Sequence, residues 1–176
     1  MISSTVQTQD TERQHFYGLL KKFDTAMLAT LTANGDLHAR PMALAKLVEQ
    51  ETECNLWFLT GIDSAKTEEI RANEKVLVSF QNGSDQYVTV YGRANIVRDR
   101  QKAAELWKEP FKVWFPGGVE DPNLALIEVK VTHGEYWDNG GLNKVSYIWE
   151  AARAYVSGDT PNIRESEQHG RVDNLS

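Results

Sequence analysis

Residues 38–71 read HARPMALAKLVEQETECNLWFLTGIDSAKTEEIR, and the rest of the chain is read outward from them. Two extended runs, Leu37 to about Leu47 and Asn55–Thr60, flank a polar loop that carries Cys54. A turn then leads into a predicted helix over Ser64–Asn73. The second run, Asn-Leu-Trp-Phe-Leu-Thr, is aromatic and apolar enough for a core strand. In the first, Pro41 cannot donate to a hydrogen-bond ladder, so it belongs at an edge, a bulge or a local opening. The turn Thr60-Gly61-Ile62-Asp63-Ser64-Ala65-Lys66 puts two hydroxyls and one ammonium where strand gives way to helix. Helix N-termini carry unpaired N–H groups and partial positive charge, so a phosphate fits there. Arg40, in Arg40-Pro41-Met42, supplies a second cation. A plainer reading stays open: Asp63 or Ser64 caps the helix and Lys66 is a solvated first-turn lysine. A cation so close to a helix N-terminus is nevertheless misplaced electrostatically unless an anion compensates it.

Upstream, residues 1–9 are polar and expected to be loose. From Asp10 the pattern is helical, with Phe16, Leu19, Leu20 and Phe23 on one face. Thr25–Thr32 reads as a strand, and Ala33-Asn34-Gly35-Asp36 as a hairpin turn, because Asn and Gly tolerate positive φ. Downstream, Val76–Gln81 and Gln86 to about Val97 form a second hairpin through Asn82-Gly83-Ser84-Asp85. A short helix is predicted over 100–108, followed by the aromatic cluster Phe111, Trp114 and Phe115. Leu124–Thr132 alternates as a strand and continues through Glu135-Tyr136-Trp137-Asp138. A last helix carries Val145, Ile148, Trp149, Ala152 and Val156 on one stripe, with Gly158 ending it. Residues 1–158 are thus expected to be a single domain and 159–176 a polar, flexible tail. Six strands joined by hairpin-like links, with helices at the periphery, fit a mainly β antiparallel barrel, since closure removes exposed edges. A dinucleotide-binding α/β fold is excluded: no strand runs into G-x-G-x-x-G and βαβ alternation is missing.

Hydrophobic residues make up 41% of the 176 and charged residues 25%, an ordinary globular balance. The net charge of −6 argues against nucleic acid as a partner, because phosphate backbones select basic surfaces. There is no run of apolar residues long enough for a membrane span and no signal-peptide order at the N-terminus. A lone cysteine excludes an intramolecular disulfide and suits a reducing cytoplasm. The four histidines, His15, His38, His133 and His169, show no metal-ligand spacing and no obvious acid–base pairing.

Six pieces in this order carry a family resemblance: Ala39-Arg40-Pro41-Met42, Leu56-Trp57-Phe58-Leu59-Thr60, Ser64-Ala65-Lys66, Gln86-Tyr87-Val88-Thr89-Val90-Tyr91-Gly92, Trp114-Phe115-Pro116-Gly117-Gly118 and Glu135-Tyr136-Trp137-Asp138. Over residues 10–158 the chain resembles the split-barrel flavin-binding proteins related to pyridoxamine 5′-phosphate oxidase, within them the general stress protein 26 group. The resemblance implies a homodimeric six-stranded split barrel holding FMN, with FAD as the other flavin allowed, at two subunit-interface sites. It implies that Arg40 approaches the ribityl-phosphate region and that the backbone through Pro41 and Met42 lies beside the flavin ring. It further implies that Thr60, Ser64 and Lys66 hold the phosphate, with Leu59 and Ala65 also among the cofactor-binding residues. Gln86 then reaches the flavin's polar edge, and Trp137 contacts the cofactor from the partner chain. Read without the resemblance, Gln86 is an exposed strand start and Trp137 a core aromatic.

Two departures from the family pattern argue against vitamin B6 oxidation. Ala65 stands where the oxidases carry an arginine, and Gly140-Gly141-Leu142-Asn143-Lys144 replaces their Arg-x-His-x-Arg segment. A substrate phosphate would lose its bidentate partners there. Three functions stay open: a flavin-dependent oxidoreductase, with a reduced nicotinamide as electron donor and catalytic residues unknown, a non-catalytic stress protein that stores or senses flavin, and an interaction module that kept the barrel and lost the cofactor.

Overall fold

The computed structural model describes residues 2–49, 53–83, 85–138, 169–173 and 175, with side chains from Asp10 onward. The predicted helix bearing Val145–Val156, its terminating Gly158, and Gly140–Lys144 fall outside them.

Helix α1 (Ile2–Leu20) opens the chain, so the helix begins well before Asp10, within the residues expected to be loose. Strands β1 (Thr25–Leu31) and β2 (Leu37–Glu49) follow, then β3 (Cys54–Gly61), α2 (Ala65–Ala72), β4 (Lys75–Gln81) and β5 (Gln86–Val97). Helix α3 (Arg100–Leu106) and two 3₁₀ turns lead into β6 (Leu124–Asp138), and β7 (His169–Asp173) ends the described chain. The strands run antiparallel in the order β3-β2-β1-β4-β5-β6-β7, and β3 also pairs with β6. That extra pairing closes a six-stranded barrel from β1–β6. The mainly β barrel with peripheral helices read from the sequence is therefore what the chain forms.

The seventh strand is a correction. Residues 169–173 lie in the segment read as a flexible tail, yet they pair with β6 from His133↔Asp173 to Trp137↔His169. Strand β6 accommodates this by dividing its length: Leu124–Lys130 pairs with β3, and His133–Trp137 with β7. Leu175, just beyond, is fully buried and exchanges backbone hydrogen bonds with Cys54 and Thr132. Cys54 is corrected with it: it starts β3 and is buried, where a polar loop was expected. Burial, and then the nearby Glu49 carboxylate, push its thiol up to about 12, so little reactive thiolate forms at neutral pH.

The main core gathers inward-facing residues of every barrel strand, including Leu28, Met42, Phe58, Val78, Val90 and Ile127. Phe16, Leu19, Leu20 and Phe23, the predicted helical face, join it. Phe16 is seated over Gly134: a Cβ there would stand 2.4 Å from its ring, so only glycine lets the helix dock. A second cluster, with Trp57, Leu59, Leu106 and Phe115, packs α3 against the opposite face of β3. The aromatic cluster splits, because Phe115 is buried whereas Trp114 is 78% exposed.

Candidate functional site

Strand β2 is where the barrel opens. From Leu37 to Ala43 it pairs with β1 alone, and β3 joins only from Leu44↔Phe58, with a register shift between Leu44 and Lys46. Pro41 sits in that single-sided stretch, opposite Met27, as its missing N–H required. Strand periodicity turns His38 and Arg40 to the same side as the buried Met42, while α2 covers this end of the barrel.

Glu69, on α2, organises what meets there. Its Oε2 accepts hydrogen bonds from Thr30 Oγ1 at 2.5 Å and Arg40 Nη2 at 2.7 Å, and its Oε1 lies 2.8 Å from His38 Nδ1. Arg40 Nη1 also donates to Thr30 Oγ1. Burial opposes ionisation of this carboxyl, but the hydrogen bonds from Thr30, His38 and Arg40 and the guanidinium charge outweigh it, holding its pKa at about 2. Lys66 lies one turn earlier on the same helix. Burial and then the Arg40 charge lower its pKa, with Glu69 partly offsetting them. The structure therefore brings Arg40 and Lys66, the two cations singled out in the sequence, into one electrostatic neighbourhood with a single carboxylate between them.

The hydroxyls at the turn form their own chain. Thr60 Oγ1 lies 3.2 Å from Ser64 Oγ, which lies 2.8 Å from Thr67 Oγ1, and Thr67 donates to the Gly61 carbonyl at 3.0 Å. Ser64 is the N-cap residue of α2 but makes no side-chain cap bond. The plain capping reading therefore fails for its hydroxyl, and no cap side chain competes with an anion for the first-turn N–H groups.

Other predicted residues lie elsewhere. Leu59 is buried in the second cluster and Met42 in the main core, so neither side chain is offered to a ligand. Ala65 is exposed at the first position of α2. Gln86 starts β5 but is only 7% exposed. Its amide donates to Asp138 Oδ1 at 2.9 Å and its carbonyl accepts from Asn82 at 2.9 Å. Trp137 is 36% exposed, on the outer face of β6, with its ring stacked on His169 at 4.8 Å. Neither plain reading survives: Gln86 is not an exposed strand start and Trp137 is not a core aromatic. Arg40 aligns through Leu28, Val78 and Val90 with Gly134 on β6, so Gln86 and Trp137 lie further along β5 and β6, towards the Gln86↔Asp138 end. An open cleft of about 460 Å³ beside α2, lined by Ile62, Ile70, Arg71, Ile96 and Arg98 among others, contains none of the predicted residues.

The outer barrel face, read by register, consists of aligned rows. One runs Pro41, Met27, Ser79, Thr89, Glu135; the next runs Ala39, Ala29, Leu77, Tyr91, His133. Met27, Leu37, Tyr87 and Trp137 are its exposed large apolar side chains.

Against this fold, the family model described as pyridoxamine 5′-phosphate oxidase like matches residues 11–162. The chain belongs to the pyridoxamine 5′-phosphate oxidase-like family. Protein bli-3 of Neurospora crassa is 29% identical over 140 residues, which are 74% of this chain and 66% of that protein's length. The general stress FMN/FAD binding protein of Xanthomonas citri superposes with a TM-score of 0.62 at 28% identity, covering 75% of this chain and 92% of that one. General stress protein 26 of Bacillus anthracis superposes with a TM-score of 0.61 at 24% identity, over 73% and 94% of the two chains; that likeness concerns the fold. No helix among the described residues is long and apolar enough to cross a membrane.

Sequence reasoning missed Thr30 and Glu69. Thr30 lies on a strand given no part in the site, and Glu69 is one of two adjacent glutamates in a helix. The one available signal was spacing: Glu69 is three residues after Lys66, on the same helix face.

Proposed function

We propose that this protein binds FMN, or FAD, as a homodimer with two interfacial sites, and serves as a flavin-dependent oxidoreductase. The observation that carries the reading is the Arg40–Lys66 pair: two partly buried cations in one electrostatic neighbourhood, with Glu69 bonded to Arg40, beside a helix start without a side-chain cap. That arrangement leaves a net positive charge, which favours a ribityl phosphate. Arg40, Lys66 and the first-turn N–H groups of α2 would hold the phosphate, with the Thr60–Ser64–Thr67 hydroxyls beside them. Gln86 would reach the flavin's polar edge, and Trp137 would contact the cofactor held by the partner. The apolar rows through Met27 and Pro41 supply a face for that partner. The bound flavin would supply the electron chemistry, and the protein would orient it and shield it from water.

The test is a visible absorption spectrum of the purified protein followed by FMN titration. A flavin spectrum, or saturable binding of one FMN per chain, supports the reading; no binding at high FMN rejects it. Oxidation of reduced nicotinamide above the rate of free flavin then separates an oxidoreductase from a flavin store or sensor.

A further inference from the structure

The predicted phosphate site contains a residue that neither the family resemblance nor the sequence motifs assigned to it. We infer that His38, held by Glu69 beside Arg40 and Lys66, is a third contact of this anion site and donates to a bound tetrahedral dianion only when its imidazole is protonated. The inference rests on the reading of Arg40 and Lys66 as an anion site.

Glu69 is ionised across the ordinary pH range and an ionised carboxylate can only accept, so His38 Nδ1 must carry the hydrogen in their 2.8 Å contact. In the neutral ring Nε2 then carries the lone pair and repels an anion. Protonation turns it into a donor. The ring is anchored at one nitrogen and open at the other: the side chain is 58% exposed, and Nε2 has no partner among the described residues. Glu69 on α2 contacts the ring, Arg40 on β2 and the Thr30 hydroxyl on β1 share that carboxylate, and Lys66 on α2 interacts electrostatically with Arg40 and Glu69.

Charge counting makes the switch specific. With His38 neutral, Arg40, Lys66 and Glu69 sum to one positive charge. With His38 protonated they sum to two, which matches a dianion such as a phosphate monoester or sulfate. The second charge exists only in the imidazolium form, in which both ring nitrogens donate. Glu69 is thereby a positioning residue. It fixes which ring nitrogen faces the ligand.

Sulfate is the probe, because it stays a dianion throughout this range and carries no flavin. The full-length protein is titrated with sodium sulfate at constant ionic strength, at pH 5.5 and 7.5, and followed by NMR of backbone and imidazole signals. Binding about tenfold tighter at pH 5.5, the factor one charge-assisted hydrogen bond supplies, with His38 signals moving, is the expected result. In His38→Asn the ratio should fall to about one. Glu69→Gln should also shrink the ratio; because Glu69 is buried, the exposed His38→Asn variant carries the decision. The inference is overturned if His38→Asn keeps the full ratio, if sulfate binds without moving His38, or if sulfate does not bind. FMN and riboflavin titrations of the same samples judge the flavin reading separately. Sulfate coupled to His38 without flavin binding keeps this inference and rejects that reading. FMN bound tightly with no His38 response does the reverse.

Discussion

Lys66 and Glu69 lie one helical turn apart, and each predicts something the other does not. Only FMN presents a phosphate to the helix start, so Lys66→Ala should weaken FMN by about tenfold or more while leaving riboflavin nearly unchanged. Equal losses for the two ligands, measured by fluorescence quenching, would remove the phosphate role. Glu69 bears on stability. Its carboxyl has a folded-state pKa of about 2 against an ordinary 4.5, so the native state favours the ionised form. That contribution is fully present above about pH 4.5 and is lost as pH falls towards 2. Urea midpoints of the wild type should therefore drop more steeply between pH 4.5 and 2 than those of Glu69→Gln, with the two curves converging at the acid end. Parallel curves would mean that the Thr30–His38–Arg40 bonds do not depend on the charge.

Among the elements, β7 carries the clearest consequence. A strand of five residues contributes little by itself, but it anchors Val172 and Leu175, both at or near zero exposure. Truncating a fully buried leucine costs about 2–5 kcal/mol through lost transfer energy and the cavity left behind. Leu175→Ala should lower stability by that amount in chemical denaturation, whereas a loose tail would tolerate it without effect. The reason β7 escaped sequence reading is physical. His169-Gly170-Arg171-Val172-Asp173 offers one apolar side chain and a glycine, which is no strand signal, and the pairing is imposed by the unsatisfied edge of β6. Gly170 itself is required because the Tyr136 ring packs where its Cβ would be, at 2.3 Å. By contrast β1 to β6 and α2 were legible, because alternation, the Asn34-Gly35 turn and the break at Pro41 act locally. The site was legible only in its cations. Arg40 and Lys66 stand in recognisable strand-break and helix-start positions, while Thr30, His38 and Glu69 become partners only once the barrel brings β1, β2 and α2 together.

At the scale of the whole molecule, the barrel has two unlike sides. The inside is filled by the core and by Phe16. The outside of β2, β1, β4, β5 and β6 carries Pro41, Met27, Leu77, Tyr87, Tyr91 and Trp137 in register, with little charge near its middle. Met27, at the centre of this face, is 43% exposed, and no described helix lies over it. If the face packs against a second copy, a carboxylate placed at residue 27 is buried opposite its own symmetry mate or another apolar side chain, and burying such an unpaired charge is costly. Met27→Asp should therefore shift the protein from dimer to monomer in sedimentation velocity at micromolar concentration, with its circular dichroism spectrum retained because the side chain points away from the core. The same variant should lose FMN affinity although it touches none of the cations, since the partner's Trp137 leaves with the partner. A monomeric Met27→Asp that binds FMN as tightly as the wild type would place the whole cofactor site within one chain and detach flavin binding from assembly.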